Sequence, residues 1–361
     1  MAKRRDIERE VLGTIGELAA ARLPTAELFR ELHALLQGPL GFDGGCWHGT
    51  DPVTGFPTST VASGLDPARF EQAVRLELQG EDATTFEAIR AAGHRVQSIG
   101  RATDGHPERS LRYRELLQPC GYGDELRINF DLGGGRWGSA AFMRENGRGP
   151  YELPELRLAA RLVTPVGTAL RAAHRASLCP TRTTTAPPAP APAVAVLDVH
   201  GRLRSADAAA RDLIARMAEP GGLVPGVPSG FLTVARQAAR TGRPAEVRVC
   251  TTPDGQWLAL HATPLDGPAD GVAVIASPVS PVQHLPLAVL AHGLSPREQQ
   301  VALHAVRGTS TKDIAALLHL TVPTVQQHVG AILDKTGTRT RRELVTLLMA
   351  GHLPTLGLPP A

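Results

Sequence analysis

Aromatic residues make up only 4% of this 361-residue chain, with three Trp and three Tyr, and cysteine occurs four times. Cys46, Cys120, Cys179 and Cys250 are scattered, with no C-x-x-C pair. That spacing argues against a zinc or disulfide framework and for reduced thiols in the cytoplasm. No apolar stretch reaches the 18 residues of a membrane-spanning helix, and the charged start MAKRRDIERE is not the apolar core of a secretory leader. The chain has no G-x-S-x-G nucleophile elbow and no Ser/His/Asp order that suggests a triad, so no catalytic function is expected. Gly133-Gly134-Gly135-Arg136 lacks the Gly-Lys-Ser/Thr of a phosphate-binding loop. Strand-like runs flank it on both sides, so it reads as a hairpin turn. No metal site and no cofactor are expected from the residues.

Excess charge is also small, at +3, but it is unevenly placed. Residues 293–353 hold seven Lys/Arg against four Asp/Glu, while the remaining 300 residues balance at 31 of each sign. The basic surplus therefore sits in one C-terminal segment, as a nucleic-acid contact requires.

That segment reads as four short helices, each with its start signal. Ser295-Pro296-Arg297-Glu298 has the form of a capping box with Pro at the first helical position. Ser310-Thr311-Lys312-Asp313 repeats it with a shorter carboxylate, and Thr340-Arg341-Arg342-Glu343 repeats it again. Thr321 caps a helix that has Pro323 in its first turn. Helix two, about 311–318, presents Ile314, Ala315 and Leu318, and helix three, about 322–335, presents Val325, Val329, Ile332 and Leu333. Two amphipathic helices joined by a tight turn make a helix-turn-helix, and the second would enter a groove. Helical hairpins are common, however, and most bind no DNA.

The segments LSPRE, STKDIAALLHL, TVPTVQQHV and DKTGTRTRREL, with Gly308 at a turn, resemble the LuxR-type DNA-binding domain of bacterial transcription regulators. The resemblance covers about sixty residues, near one sixth of the chain. It implies an all-α tetrahelical domain whose third helix lies in the major groove and whose fourth forms a dimer contact on double-stranded DNA. Carried onto this sequence, the base-facing positions are Gln326, Gln327 and Gly330, and the phosphate-facing ones are Thr324, Lys335, Arg339 and Arg341. Gln326 and Gly330 stand where the family often has Lys, so the reading face is amide-rich. His319 replaces the usual Gly of the turn and is expected to take φ > 0, and His304 replaces a usual Leu. Helix four, 340–350, carries more apolar residues than a small domain needs. Leu344 and Leu348 are therefore the expected dimer face, with plain core packing as the other reading.

Upstream, helices are expected at 7–22, from Thr25 onward, at 66–79, 108–117 and 154–176, and strands at 45–48, 57–62, 94–99, 124–132 and 136–144. Helices around an antiparallel sheet with a long exit helix resemble a GAF domain, an α/β sensor fold that implies a pocket for an unknown small-molecule ligand. Cys46 and His48 share one side of their strand, with Trp47 opposite. They would suit a redox agent, a metal or a tetrapyrrole, although such a pair on a core strand is ordinarily just packed. Cys120 is weighed as a redox sensor in the same way. The Pro/Thr/Ala run 179–192 is a semi-stiff spacer. After it, VLDVHGR followed by a helix and three further strands resembles a small PAS domain, whose pocket helix is replaced by Pro/Gly-rich 220–229. A Pro-rich joint is expected at 278–286.

The expected fold class is thus multidomain α+β. Its parts are an N-terminal helix (1–23), a GAF-like sensor (24–176), a linker (177–192), a PAS-like α+β domain (193–278), a second linker (279–292), the helix-turn-helix domain (293–353) and a tail (354–361). The expected function is a cytoplasmic, homodimeric regulator of transcription with no membrane partner. The alternatives are a regulator whose terminal helices bind a protein rather than DNA, and an enzyme built on the GAF-like fold. Few Trp and Tyr disfavour an acylhomoserine-lactone pocket, and no acidic cluster suggests a phosphorylated receiver.

Overall fold

The computed structural model describes residues 2–80, 82–178, 192–217, 227–251, 256–266 and 271–349. The 179–191 spacer, most of the Pro/Gly-rich run at 220–229 and the tail lie outside the described residues. Among the described residues no helix is long and apolar enough to cross a membrane. Cys46, Cys120 and Cys250 form no disulfide among the described residues.

The first unit begins with α1 (Ala2–Ala21) and α2 (Thr25–Leu40), followed by β1 (Gly44–Thr50) and β2 (Pro57–Ser63). Helix α3 (Phe70–Gln79), α4 (Phe86–Ala91), β3 (Val96–Ser98) and the single turn α5 (Ile99–Ala102) come next. The strands β4 (Tyr122–Leu132) and β5 (Gly135–Glu145) then lead into α6 (Leu153–Leu178). The sheet is antiparallel in the order β2-β1-β5-β4-β3. Thr25 does not cap α2: it is the first helical residue, behind Pro24, and no side chain caps that end. The helix expected at 108–117 is broken into a 3₁₀ turn and a π-turn at Tyr113–Leu117.

Strand alternation divides this sheet into two unlike faces. On one side Trp47, Leu126, Ile128, Phe130 and Phe142 join α1, α2 and α6 in an apolar core. Trp47 stacks between Phe29 and Phe130, at 5.5 and 5.7 Å. The other side of β4 carries Glu125, Arg127 and Asn129, all at most 1% exposed.

The second unit contains β6 (Ala193–Asp198), β7 (Leu203–Ala206), α7 (Ala208–Arg216), α8 (Ser229–Thr241), β8 (Ala245–Thr251), β9 (Gln256–Leu265) and β10 (Gly271–Pro278). Its sheet order, β7-β6-β10-β9-β8, repeats that of the first sheet strand for strand, and every pairing is antiparallel. Helix α8 is wedged between the two units. A Cβ at Gly230 would fall 2.7 Å from Val249 and 3.5 Å from the Thr58 carbonyl oxygen. The apolar core is consequently shared: Leu65, Phe70, Leu76 and Leu116 belong to one cluster with Phe231, Val247, Leu260 and Val274.

The stretch expected as a Pro-rich linker (279–292) is instead a helix, α9 (Pro281–Ala291). Ser280 and Gln283 form a reciprocal capping box, so Pro281 begins the helix rather than breaking it. Pro286 forgoes only the bond to the Val282 carbonyl, on a residue that is 80% exposed. The final unit comprises α10 (Pro296–Val306), α11 (Thr311–Leu317), α12 (Val322–Thr336) and α13 (Arg341–Met349).

Two histidines give stability a pH dependence. Burial, then the Arg127 and Arg112 charges, push His48 down to about 3; burial, then Arg175, pushes His292 down to about 4. Unfolded histidine titrates near 6.5. The unfolded chain therefore binds more protons below that value, and stability, full above about pH 6.5, falls as pH drops towards the folded values. Unfolding free energies from urea titration should decline between pH 6 and 5 by about 1.4 kcal/mol per pH unit for each such histidine. A flat profile across that window would contradict the buried placement.

Candidate nucleic-acid interface

The terminal helices start where their caps place them. Ser295 accepts from the Glu298 N–H while Glu298 Oε2 accepts from the Ser295 N–H at 2.7 Å, a complete capping box. Ser310 caps α11 through the Asp313 N–H, but Asp313 bonds the Ser310 hydroxyl instead of its backbone, at 2.6 Å. Thr340 accepts from the Glu343 N–H at 3.1 Å, and Glu343 reaches one residue further back, to the Arg339 N–H at 2.8 Å. Thr321 caps α12. His319, in the turn between α11 and α12, takes φ 52°, as its position requires.

Val301, Ala302, Ile314, Ala315, Val325 and Ile332 close the core of this unit. With Val325 and Ile332 facing inward, α12 turns Gln326, Gln327 and Gly330 to the outside, and all three are exposed. A Cβ at Gly330 would meet nothing within 4 Å. Among the described residues, no other part of the chain covers this face.

The cations around it divide into two groups. Lys335 is tied to Glu298, with Nζ 2.9 and 2.7 Å from its carboxylate oxygens, which joins α12 to α10. Arg341 donates to the carbonyl oxygens of Ala305 (3.2 Å) and Thr309, fastening α13 to the end of α10. Arg297 likewise holds the Leu318 carbonyl before the turn. Thr324 shares its hydroxyl with Thr321 at 2.8 Å. Arg339, Arg342, Arg307 and Lys312 are exposed. Of the residues expected to face phosphate, Arg339 thus extends into solvent, whereas Lys335 and Arg341 already serve the fold.

Leu344 and Leu348 do not form a dimer face. Both are 0% exposed and lie in the core beneath α9 and α10. Their surplus apolar surface is absorbed by α9, where the sequence pattern predicts a linker. Leu285, Ala288 and Val289 of α9 enter this core, whereas Leu287 and Ala291, roughly a third of a turn away, enter the core of the first unit.

Helix α9 is also the point where all three units meet. Arg248 on β8 donates to Asp51 Oδ2 of the first unit (3.0 Å), to Glu246 (2.9 Å) and to the Gln283 carbonyl of α9 (2.7 Å). Gln299 on α10 reaches the Gly133 carbonyl at the hairpin tip of the first sheet, at 3.1 Å.

Cys46 is packed in the apolar cluster shared by the two upstream units, and with His48 it also lines a cavity on the polar side of the first sheet, together with Glu77, Arg112 and Arg127. The signal was present in DELRINF, where charged and amide residues alternate with apolar ones in a strand that has no solvent side.

Residues 292–348 match the family model described as bacterial regulatory proteins, luxR family. No curated protein matches the chain. Among solved structures, the chain is similar to a Vibrio cholerae VqmA dimer, described as a LuxR-type receptor. The identity is 18% over 44% of this chain and 82% of that one, with a TM-score of 0.22. It is similar to a phage VqmA–DPO complex at 18% over 44% and 81%, TM-score 0.25. It is also similar to the E. coli DhaR(N)–DhaL complex at 13% over 77% and 91%, TM-score 0.24.

Proposed function

Because residues 292–348 are a LuxR-type helix-turn-helix domain, we propose that the chain is a sequence-specific DNA-binding regulator of transcription. In this reading α12 lies in the major groove with Gln326, Gln327 and Gly330 towards base edges. The observation that carries it is the uncovered outer face of a helix whose inner face is anchored by Val325 and Ile332. Glutamine can pair bidentately with adenine N6 and N7. Arg339 supplies the main phosphate contact, helped by Lys335, Arg341 and Thr324 as far as their bonds within the domain allow.

The two upstream units are sensors, GAF-like first and PAS-like second, and they control the terminal domain through α9. Support comes from the two faces of that helix, one in the first unit's core and one in the terminal core. A shift of the first unit against α9 is felt directly where α13 packs, which changes the population competent for DNA. A homodimer on a two-fold site fits this reading. Its contact uses the half-exposed Val345 and Leu347 of α13 rather than Leu344 and Leu348.

Titration on matched and mismatched duplexes tests the reading. Gln326→Ala should reduce discrimination at one base pair by about 1–3 kcal/mol. Arg339→Ala should weaken binding to every sequence alike and lower the salt slope by about one. The reading fails if both substitutions act in the same way.

A further inference from the structure

We propose that the cavity between the first sheet and α8 binds a small uncharged organic molecule that offers a carbonyl oxygen to Arg127. The inference deepens the sensor reading above and rests on it only for its consequence at DNA. The site itself stands on the geometry that follows.

The cavity has about 580 Å³ of empty space, its open mouth included. Its floor is the polar side of the first sheet. There β1 places Cys46 and His48 beside Arg127 of β4, with only Ala141 and Ser139 of β5 between them in register. Those two small side chains keep the centre of the floor low. Phe70, Ala73 and Val74 of α3 form an apolar wall. Ser229, Leu232 and Thr233 close it from above, and they belong to α8 of the second unit. An occupant would therefore touch both sensor units at once.

Arg127 specifies what the occupant must offer. Its side chain is 2% exposed, pairs through Nη2 with Glu77, and lies with Cζ 3.8 Å over the Phe86 ring. Its Nε and Nη1 atoms have no hydrogen-bond partner, although Nε lies 3.9 Å from Glu125 Oε2. Buried guanidinium donors left unmatched are costly and therefore uncommon. An acceptor atom entering from the cavity would satisfy them.

Charge balance excludes an anion. Arg112 is held by Glu125 in a two-point pair, Nε–Oε2 2.7 Å and Nη2–Oε1 2.9 Å, and Arg127 by Glu77. Two cations and two carboxylates cancel, and the remaining lining is largely apolar. A carboxylate or phosphate would bring an uncompensated charge into this site. A neutral carbonyl compound with an apolar body would not.

The test uses the full chain and three probes of similar size: acetophenone, ethylbenzene and benzoate. Calorimetric titration should show acetophenone binding at least about tenfold more tightly than ethylbenzene, the margin expected for a hydrogen bond to a charged donor, with benzoate weakest. Arg127→Met should erase the preference for acetophenone. Since that change leaves Glu77 unpaired, Ala73→Leu is the companion variant: it fills the cavity without touching an ion pair and should abolish binding of acetophenone and ethylbenzene. Equal affinity for acetophenone and ethylbenzene, tighter binding of benzoate, or binding that survives Ala73→Leu would each overturn the proposal. DNA affinity measured with and without acetophenone tests the sensor reading separately. Binding without any effect on DNA would leave the site standing and reject its coupling.

Discussion

Asp51→Ala should cost about 3–5 kcal/mol of folding stability, the range found when one member of a buried ion pair is removed. Asp51 is 0% exposed. Its Oδ2 accepts from the Arg248 backbone N–H and from Nη1, both at 3.0 Å, and its Oδ1 accepts from the Val53 N–H at 2.9 Å. Truncation would leave a guanidinium with 10% side-chain exposure with Glu246 as its one remaining carboxylate among the described residues, at the place where the first unit, the second and α9 converge. Asp51→Asn, which keeps an acceptor oxygen, should cost less. The double variant Asp51→Ala/Arg248→Met should recover part of the loss, because it removes the buried guanidinium that only the partly exposed Glu246 still balances. Urea unfolding of the full chain followed by circular dichroism provides the measurement. A loss under 1 kcal/mol for Asp51→Ala would show that the junction is hydrated and not a buried clasp.

Leu344→Ala should destabilise the terminal domain by about 2–5 kcal/mol, as buried leucine truncations do. The side chain is 0% exposed and packs in one cluster with Val301, Val325, Ile332 and the α9 residues Leu285 and Val289. The effect should appear as a lower unfolding midpoint at every protein concentration, because the contact lies within one chain. If Leu344 instead faced a second copy, the midpoint would shift with concentration and sedimentation would show dissociation. Those outcomes separate core from interface.

Much of this was legible from local chemistry. Ser295, Thr321 and the alternation of 124–132 and 136–144 located the caps and the hairpin, because each depends on neighbours a few residues away. His319 could be assigned a positive φ for the same reason. The failures came where distant partners decide. Leu344 and Leu348 read as surplus apolar surface in the absence of α9, whose Leu285, Ala288 and Val289 cover them. Pro281 and Pro286 drew attention from Ser280 and Gln283, whose capping box starts that helix. The union of the two upstream cores through α8, and with it the roof over Cys46 and His48, depends on contacts more than a hundred residues apart. Periodicity carries no information about these. Lys335 and Arg341 show the same limit. Motif position marks them as phosphate contacts, yet Glu298 and the carbonyls of Ala305 and Thr309 claim them in the fold.

The proposed complex sets the outer face of α12 against DNA, with cations gripping the backbone beside it. The most direct measurement is the affinity of the full chain for a duplex selected from a random pool, followed from 50 to 200 mM salt, a window known to separate phosphate-gripping proteins from others. The expected result is a linear fall of log K with log salt, its slope about −0.9 for each phosphate contacted, and a selected sequence that loses its advantage in Gln326→Ala. Failure to select any sequence, or an affinity that does not respond to salt, would contradict it.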